Sequence, residues 1–343
     1  MNDRYRILGA VGLAVTIFVL VQLGALSLVE PFKDGGRQVV ENPQDATNSL
    51  VYIGAILVAT AGMLAAFKFD LQWLIRGFII LTSGMLSFYV FETFMPTTVA
   101  AAAGGAVALG LLVYPEWYVI DTAGVVMGSA AAGLFGISFG LFPAIVLLTI
   151  LAVYDAISVY GTEHMLTLAE GVMDMKVPVI LVIPTTLSFS FLELSAASDD
   201  DAEDQPDARD GETVAADGNG TVEAEPAAAE ADDGDDPEGA LDRDALFIGL
   251  GDAVMPTIIV ASAAYFHSGA TDTVTPLVTD PFLLNLPALT AMIGTIAGLL
   301  VLLWMVLKGR AHAGLPLLNG GAIGGYLVGA LAAGVPLMAA LGL

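Results

Sequence analysis

Apolar residues along this chain gather into long blocks instead of alternating with polar ones. Nine such blocks, almost free of charge, run at approximately 7–29, 49–67, 74–94, 97–113, 118–137, 140–160, 245–266, 282–307 and 316–341. A helix of roughly 20 residues crosses a hydrocarbon core of about 30 Å and satisfies its own backbone amides, which lipid cannot do. The pattern predicts an all-α integral membrane protein with nine transmembrane helices. Arg4 and Arg6 ahead of the first block imitate a secretory signal, but the block is as long as a membrane span and lacks a clear cleavage site, so it is read as helix one.

Polar stretches divide the blocks into three parts. Residues 1–160 carry the first six predicted helices and 245–343 the last three. Between them, 161–244 changes character twice. The stretch from Gly161 to Phe191 stays mostly apolar but is interrupted by Pro178 and Pro184, and is expected to lie partly in the membrane or at its surface. From Ala196 to Leu241, Asp, Glu, Ala and Gly dominate and no aromatic residue occurs. Such a segment cannot bury enough apolar surface to offset its ordering entropy, and is expected to be a disordered, solvated cytoplasmic linker.

Basic residues orient the bundle. With the N-terminus in the cytoplasm, Arg4, Arg6, Lys68, Arg76, Lys176, Arg209, Arg243, Lys308 and Arg310 lie on or near the inner side, and only Lys33 and Arg37 lie outside. Discounting the three in or beside the long acidic connection, six still stand against two. The expected location is the cell membrane, multi-pass, with the N-terminus cytoplasmic and the C-terminus extracellular.

Composition sharpens this picture. Hydrophobic residues make up 56% of the chain and its mean hydropathy is +0.79, so its solvent is mainly lipid. The formal charge of -25 is mostly local: between Asp199 and Asp244, nineteen Asp and Glu face only Arg209 and Arg243, which accounts for -17 of it. Scarce lysine and an acidic polar surface suit a protein hydrated in concentrated salt, and point to a halophilic prokaryote. Cysteine is absent, which excludes disulfides, thiolate metal sites and cysteine nucleophiles. His164, His267 and His312 are isolated in sequence and expected to be satisfied or solvated. No metal, cofactor or nucleic-acid partner is expected.

An ionisable group deep in a membrane segment costs on the order of 3 kcal/mol and needs a reason to be there. Arg76, Glu92, Glu116 and Asp121 lie near block ends and are expected to reach the interface. Asp155 and Asp252 cannot. Asp155 lies in LLTILAVYDAISVY, about fifteen residues into the sixth block, and Asp252 in ALFIGLGDAVMP, roughly two turns inside the seventh when counted from Ala245. Those helices run in opposite directions, so the two carboxylates reach comparable depth, on the cytoplasmic side of the midplane. A carboxylate pair that shares one proton supplies a general acid and a general base together, and can activate water against an amide without metal or cofactor. Gly249 and Gly251 clear space for a substrate backbone, although glycines in membrane helices serve packing equally well. Pro256, one turn after Asp252, removes a helical hydrogen bond.

These residues resemble the presenilin and signal peptide peptidase family of intramembrane aspartyl proteases, especially its archaeal presenilin homologues. That family has nine transmembrane helices, a Tyr-Asp motif in the sixth, Gly-x-Gly-Asp in the seventh and Pro-Ala-Leu just before the ninth. Tyr154-Asp155 and Gly249-Leu250-Gly251-Asp252 fit the first two. At the third, Ala313-Gly314-Leu315-Pro316 stands where Pro-Ala-Leu-Pro is usual, followed by LLNGGAIGGYL; the literal Pro287-Ala288-Leu289 opens the eighth block and is a decoy. The resemblance implies an aspartic endopeptidase of the GxGD type with Asp155 and Asp252 catalytic. It implies that Tyr154, Gly249, Leu250, Gly251, Gly314, Leu315 and Pro316 meet the substrate. It also implies single-pass transmembrane substrates with their N-termini outside, because the predicted topology is that of presenilins and opposite to that of signal peptide peptidases.

Two other readings share the same residues. A proton- or cation-coupled transporter would use paired membrane carboxylates, but such proteins often carry internal repeats and none is visible here. Type IV prepilin peptidases also use Gly-x-Gly-Asp, but often with a lysine shortly after the aspartate, where Ala253 and Val254 stand.

Overall fold

In lipid a backbone amide finds no solvent partner, so each apolar block closes its hydrogen bonds within itself as a helix. The computed structural model describes residues 3–45, 47–69, 71–161, 179–185, 189–190, 245–269, 273–308 and 313–343. The expected linker, 196–241, lies outside the described residues, as do His164 and His312. Helices α1 (Asp3–Asp34), α2 (Thr47–Lys68), α3 (Gln72–Phe94), α4 (Thr97–Val113), α5 (Trp117–Ser138) and α6 (Leu141–Gly161) follow one another in the first part. Strands β1 (Ile180–Pro184) and β2 (Ala245–Gly249) come next, then α7 (Leu250–Ala264) with a π turn (Tyr265–Gly269), α8 (Leu286–Val306), α9 (Gly314–Ala332) and the short α10 (Leu337–Ala340). Among the described residues, seven helices are long and apolar enough to cross a membrane, and the shorter apolar runs Thr47–Met63 and Thr97–Val113 belong to α2 and α4.

Three expectations need correction. The seventh block is not one helix: Ala245–Gly249 is a strand, paired antiparallel with β1 in the register Ile180↔Gly249 to Pro184↔Ala245. A short apolar run rich in aliphatic and aromatic residues has no decisive period, and here the ladder to β1 satisfies its amides better than a further helical turn. Part of the apolar 161–191 stretch is therefore the strand partner of the seventh block, and the all-helical class carries one small sheet. The ninth block also ends early, because Gly334 adopts φ +84° and Val335 N–H donates to Ala330 O, turning the chain before Pro336 starts α10. Lastly, Glu92, Glu116 and Asp121 do not simply reach towards an interface. Glu92 pairs with Arg37, which also stacks over Tyr89, and the other two carboxylates are buried.

Helix α7 with its π turn lies at the centre and is almost wholly buried, whereas α3 lies at the periphery. It packs on α1, α5, α6, α8 and α9. Small residues let the helices approach: Gly136 of α5 faces Ala261 of α7, and Gly24 of α1 faces Ser129 of α5. His267, in the π turn, is buried and bonded at Nδ1 to Thr273 Oγ1 and at Nε2 to Tyr326, both at 3.0 Å. The Tyr326 hydroxyl in turn donates to Ala340 O at 2.5 Å.

Helices α8 and α9 meet backbone to backbone. A Cβ on Gly294 would run into Gly321 O, one on Gly298 into Leu317 O, and one on Gly325 into Thr290 O. Gly325→Val should therefore destabilise the protein by about 1–3 kcal/mol, since backbones must part to admit the side chain. Gly324, with nothing within 4 Å of its would-be Cβ, is the control: Gly324→Ala should leave the thermal midpoint in detergent unchanged or slightly raised.

Candidate active site

Three elements converge on one point. Asp155 projects from α6 and is 2% exposed, Asp252 lies in the first turn of α7 and is 1% exposed, and α9 begins between them at Gly314. The Leu315 N–H donates to Asp155 Oδ2 at 2.9 Å. A methyl placed on Gly314 would lie 3.5 Å from Asp252 Oδ2. Adjacent residues of α9 thus touch both carboxylates. Of the four carboxylate oxygens, only Asp155 Oδ2 has a hydrogen-bond partner among the described residues; Asp155 Oδ1 and both oxygens of Asp252 are buried without one. Unpaired buried acceptors are costly in a structural setting.

The local chain explains how Asp252 arrives there. Strand β2 runs without a loop into α7, with Gly249 as N-cap in extended conformation and Leu250 N–H donating to Val179 O at 2.7 Å. Asp252 is therefore one turn closer to the helix start than the sequence suggests. Pro256 lacks the amide that would bond the Asp252 carbonyl, so that turn stays open on its backbone side.

The remaining predicted residues fall into different settings. Gly314 and Leu315 meet the carboxylates directly, and Pro316 is half-buried beside them. The Leu250 side chain is engaged with α5, close to Gly124 and Gly128. Tyr154 is 43% exposed on the outer side of α6. Pro287-Ala288-Leu289 opens α8 behind the Asn285 cap, whose Oδ1 accepts from Ala288 N–H, and is a helix start.

Sequence reading missed Asn319. It is fully buried, and its Nδ2 donates to Leu148 O at 3.0 Å. One turn beyond Leu315 on α9, it reaches α6 two turns before Asp155, so two polar contacts clamp these helices. A lone amide in the run LPLLNGGA was the available signal. Asp121 and Glu116 were assigned to the interface from their position near a block end. In the structure Asp121, 6% exposed, accepts from Val182 N–H at 2.8 Å, and Glu116, 5% exposed, caps α5 and accepts from Ser190 Oγ at 2.6 Å.

Two buried carboxylates thus meet inside a multi-pass helical bundle, and comparison with known proteins places that bundle in the class of intramembrane aspartyl proteases. The family model described as signal-peptide peptidase, presenilin aspartyl protease matches residues 15–335. The chain belongs to this family. Two solved structures of a presenilin family intramembrane aspartate protease are similar to it. One, in space group C222, has a TM-score of 0.60 and 31% identity, covering 95% of this chain and 99% of that one. The other, in space group P2, has a TM-score of 0.58 and 33% identity, covering 93% and 96%. No curated protein matches.

Proposed function

We propose that Asp155 and Asp252 are the catalytic dyad of this protease, a GxGD-type aspartic endopeptidase that cuts single-pass transmembrane segments. The observation that carries the assignment is the meeting of both buried carboxylates at the Gly314–Leu315 step. One carboxylate takes a proton from water as the water oxygen attacks the scissile carbonyl carbon. The other, protonated, gives its proton to the carbonyl oxygen, forming a gem-diol. The first then passes the proton it took from water to the departing nitrogen while the second takes a proton back from the gem-diol, so that the C–N bond breaks and the products are a carboxyl and an amine. The Leu315 N–H fixes Asp155, and the bare Cα of Gly314 leaves room at Asp252. Tyr154, exposed beside Asp155, meets an incoming segment first, and the backbone of Gly249–Gly251 lies against it. The N-terminus is cytoplasmic and the C-terminus extracellular, and the acidic 196–241 segment connects two membrane parts without taking part in hydrolysis. The test is incubation of the purified protein with a single-pass substrate and mass spectrometry of the products. Fragments ending within the apolar segment are expected; an uncut substrate at enzyme concentrations near its own would end this reading.

Gly314 also decides how far the departure from Pro-Ala-Leu matters. A methyl there would make ordinary contacts, 3.4 Å to Leu302 Cδ2 and 3.5 Å to Asp252 Oδ2. Gly314→Ala should therefore keep the cleavage rate within about threefold, whereas the branches of Gly314→Val would push Asp252 aside and lower the rate at least tenfold, given that about 1 Å of misplacement costs on the order of 10².

A further inference from the structure

We propose that Asp121 is a positioning residue for peptide-bond hydrolysis: from α5 it holds the outer edge of β1, and through the β1–β2 pair it sets where Asp252 enters the site. This inference rests on the assignment of Asp252 to the dyad.

Asp121 is a buried carboxylate that the chemistry does not use. It sits in an apolar layer made by Ile120, Ala123, Leu111, Val182 and Phe247, a placement that opposes burial of a polar group unless the group does something there. Its Oδ1 accepts from Val182 N–H and its Oδ2 has no partner among the described residues. The strand phase shows what that bond does. Leu250 N–H donates to Val179 O, so the alternation of an antiparallel ladder turns Leu181 and Ile183 towards β2 and Ile180, Val182 and Pro184 away from it. Pro184 has no amide to offer. Asp121 therefore takes the outward amide at the centre of the strand and ties the sheet to α5.

The same helix holds the other side of the junction. The Leu250 side chain packs near Gly124 and Gly128, one and two turns beyond Asp121 on α5. Strand and helix are thus fixed to α5 on either side of Gly249, and Asp252 follows within the first turn. No loop intervenes to absorb a shift, so a displaced β1 displaces Asp252.

The test uses the full-length enzyme and a single-pass substrate. Asp121→Leu should lower kcat at least tenfold with KM changed less than about twofold, since the loss is one of alignment and not of substrate affinity. Hydrogen exchange of the amides in 179–185 should quicken in the same variant. Asp121→Asn, whose amide oxygen accepts the same N–H, should keep kcat within about threefold and keep the protection. Val182→Pro removes the donor in the phase already occupied by Pro184, without breaking the ladder. It should match Asp121→Leu, and the double variant should be no slower than the slower single one, as expected of two halves of one contact. A purely structural Asp121 would lower yield and thermal midpoint but leave kcat per inhibitor-titrated site at the wild-type value, and that result overturns the proposal. So does Asp121→Asn as slow as Asp121→Leu, because then the charge and not the bond matters. Should Asp121→Leu fail to assemble, wild-type kcat in Val182→Pro overturns it equally. Asp252→Asn, measured alongside, separates the two claims: cleavage surviving there defeats the dyad, whatever Asp121 does.

Discussion

Asp155→Asn and Asp252→Asn should each lower kcat by at least about 10³-fold while the protein still inserts and purifies, the loss expected when an acid–base partner can no longer exchange a proton. The exchange is nearly isosteric, and Asn at 155 can still accept the Leu315 N–H through its amide oxygen, so the helices stay in register. Alanine at either position should be equally inactive. Because the two groups act on one substrate together, the double variant loses no more than either single one. The measurement is the initial rate on a single-pass substrate, paired with a thermal midpoint in detergent to show intact folding. Appreciable cleavage by either single variant would remove that residue from the dyad.

The second large effect concerns substrate direction. A protease site is chiral and accepts an extended strand one way only, so the enzyme's orientation in the membrane selects the orientation of its substrate. The proposed cytoplasmic N-terminus would run α6 towards the cytoplasm and α7 away from it, and segments with their N-termini outside should then be cut at least about tenfold faster than the reverse, a preference of ~1.4 kcal/mol or more. The substrate helix must unwind near the cut, since an intact helix keeps its amides bonded and shielded, so helix-breaking residues there should speed cleavage. The comparison is one segment presented in both orientations in native membranes. Faster cutting of the form with its N-terminus inside contradicts either the topology or the analogy. Labelling of Asn2→Cys in this cysteine-free chain then says which.

Long apolar blocks made most of the fold legible. Their length and lack of charge located most helix ends to within a few residues, because lipid leaves a backbone no alternative; the ninth block, whose helix closes at Ala332, is an exception. The strand at Ala245–Gly249 was not legible: its five apolar residues adjoin the helical block, and only Ile180–Pro184, far away in sequence, decides the outcome. That error also placed Asp252 too deep within its helix. At the site, Asp155 and Asp252 stood out because an unexplained charge in lipid is expensive. Asp121 did not, since nearness to a block end says where a side chain could go and not where β1 draws it. Asn319 was hidden for another reason: an amide carries no charge penalty, and its value lies in reaching Leu148 O across a helix contact that a single sequence does not reveal.

The backbone seam between α8 and α9 bears on how such a sequence can change with time. Most faces of α2 are turned outward, with Leu50, Val51, Leu57 and Val58 exposed, and there one oily residue serves as well as another. At Gly294, Gly298, Gly321 and Gly325 the requirement is the absence of a side chain, and no second substitution nearby can restore room that two main chains already occupy. Drift in this chain is therefore uneven by construction: α2 can be rewritten almost freely within an apolar alphabet, while one added methyl at Gly321 is enough to part α8 from α9.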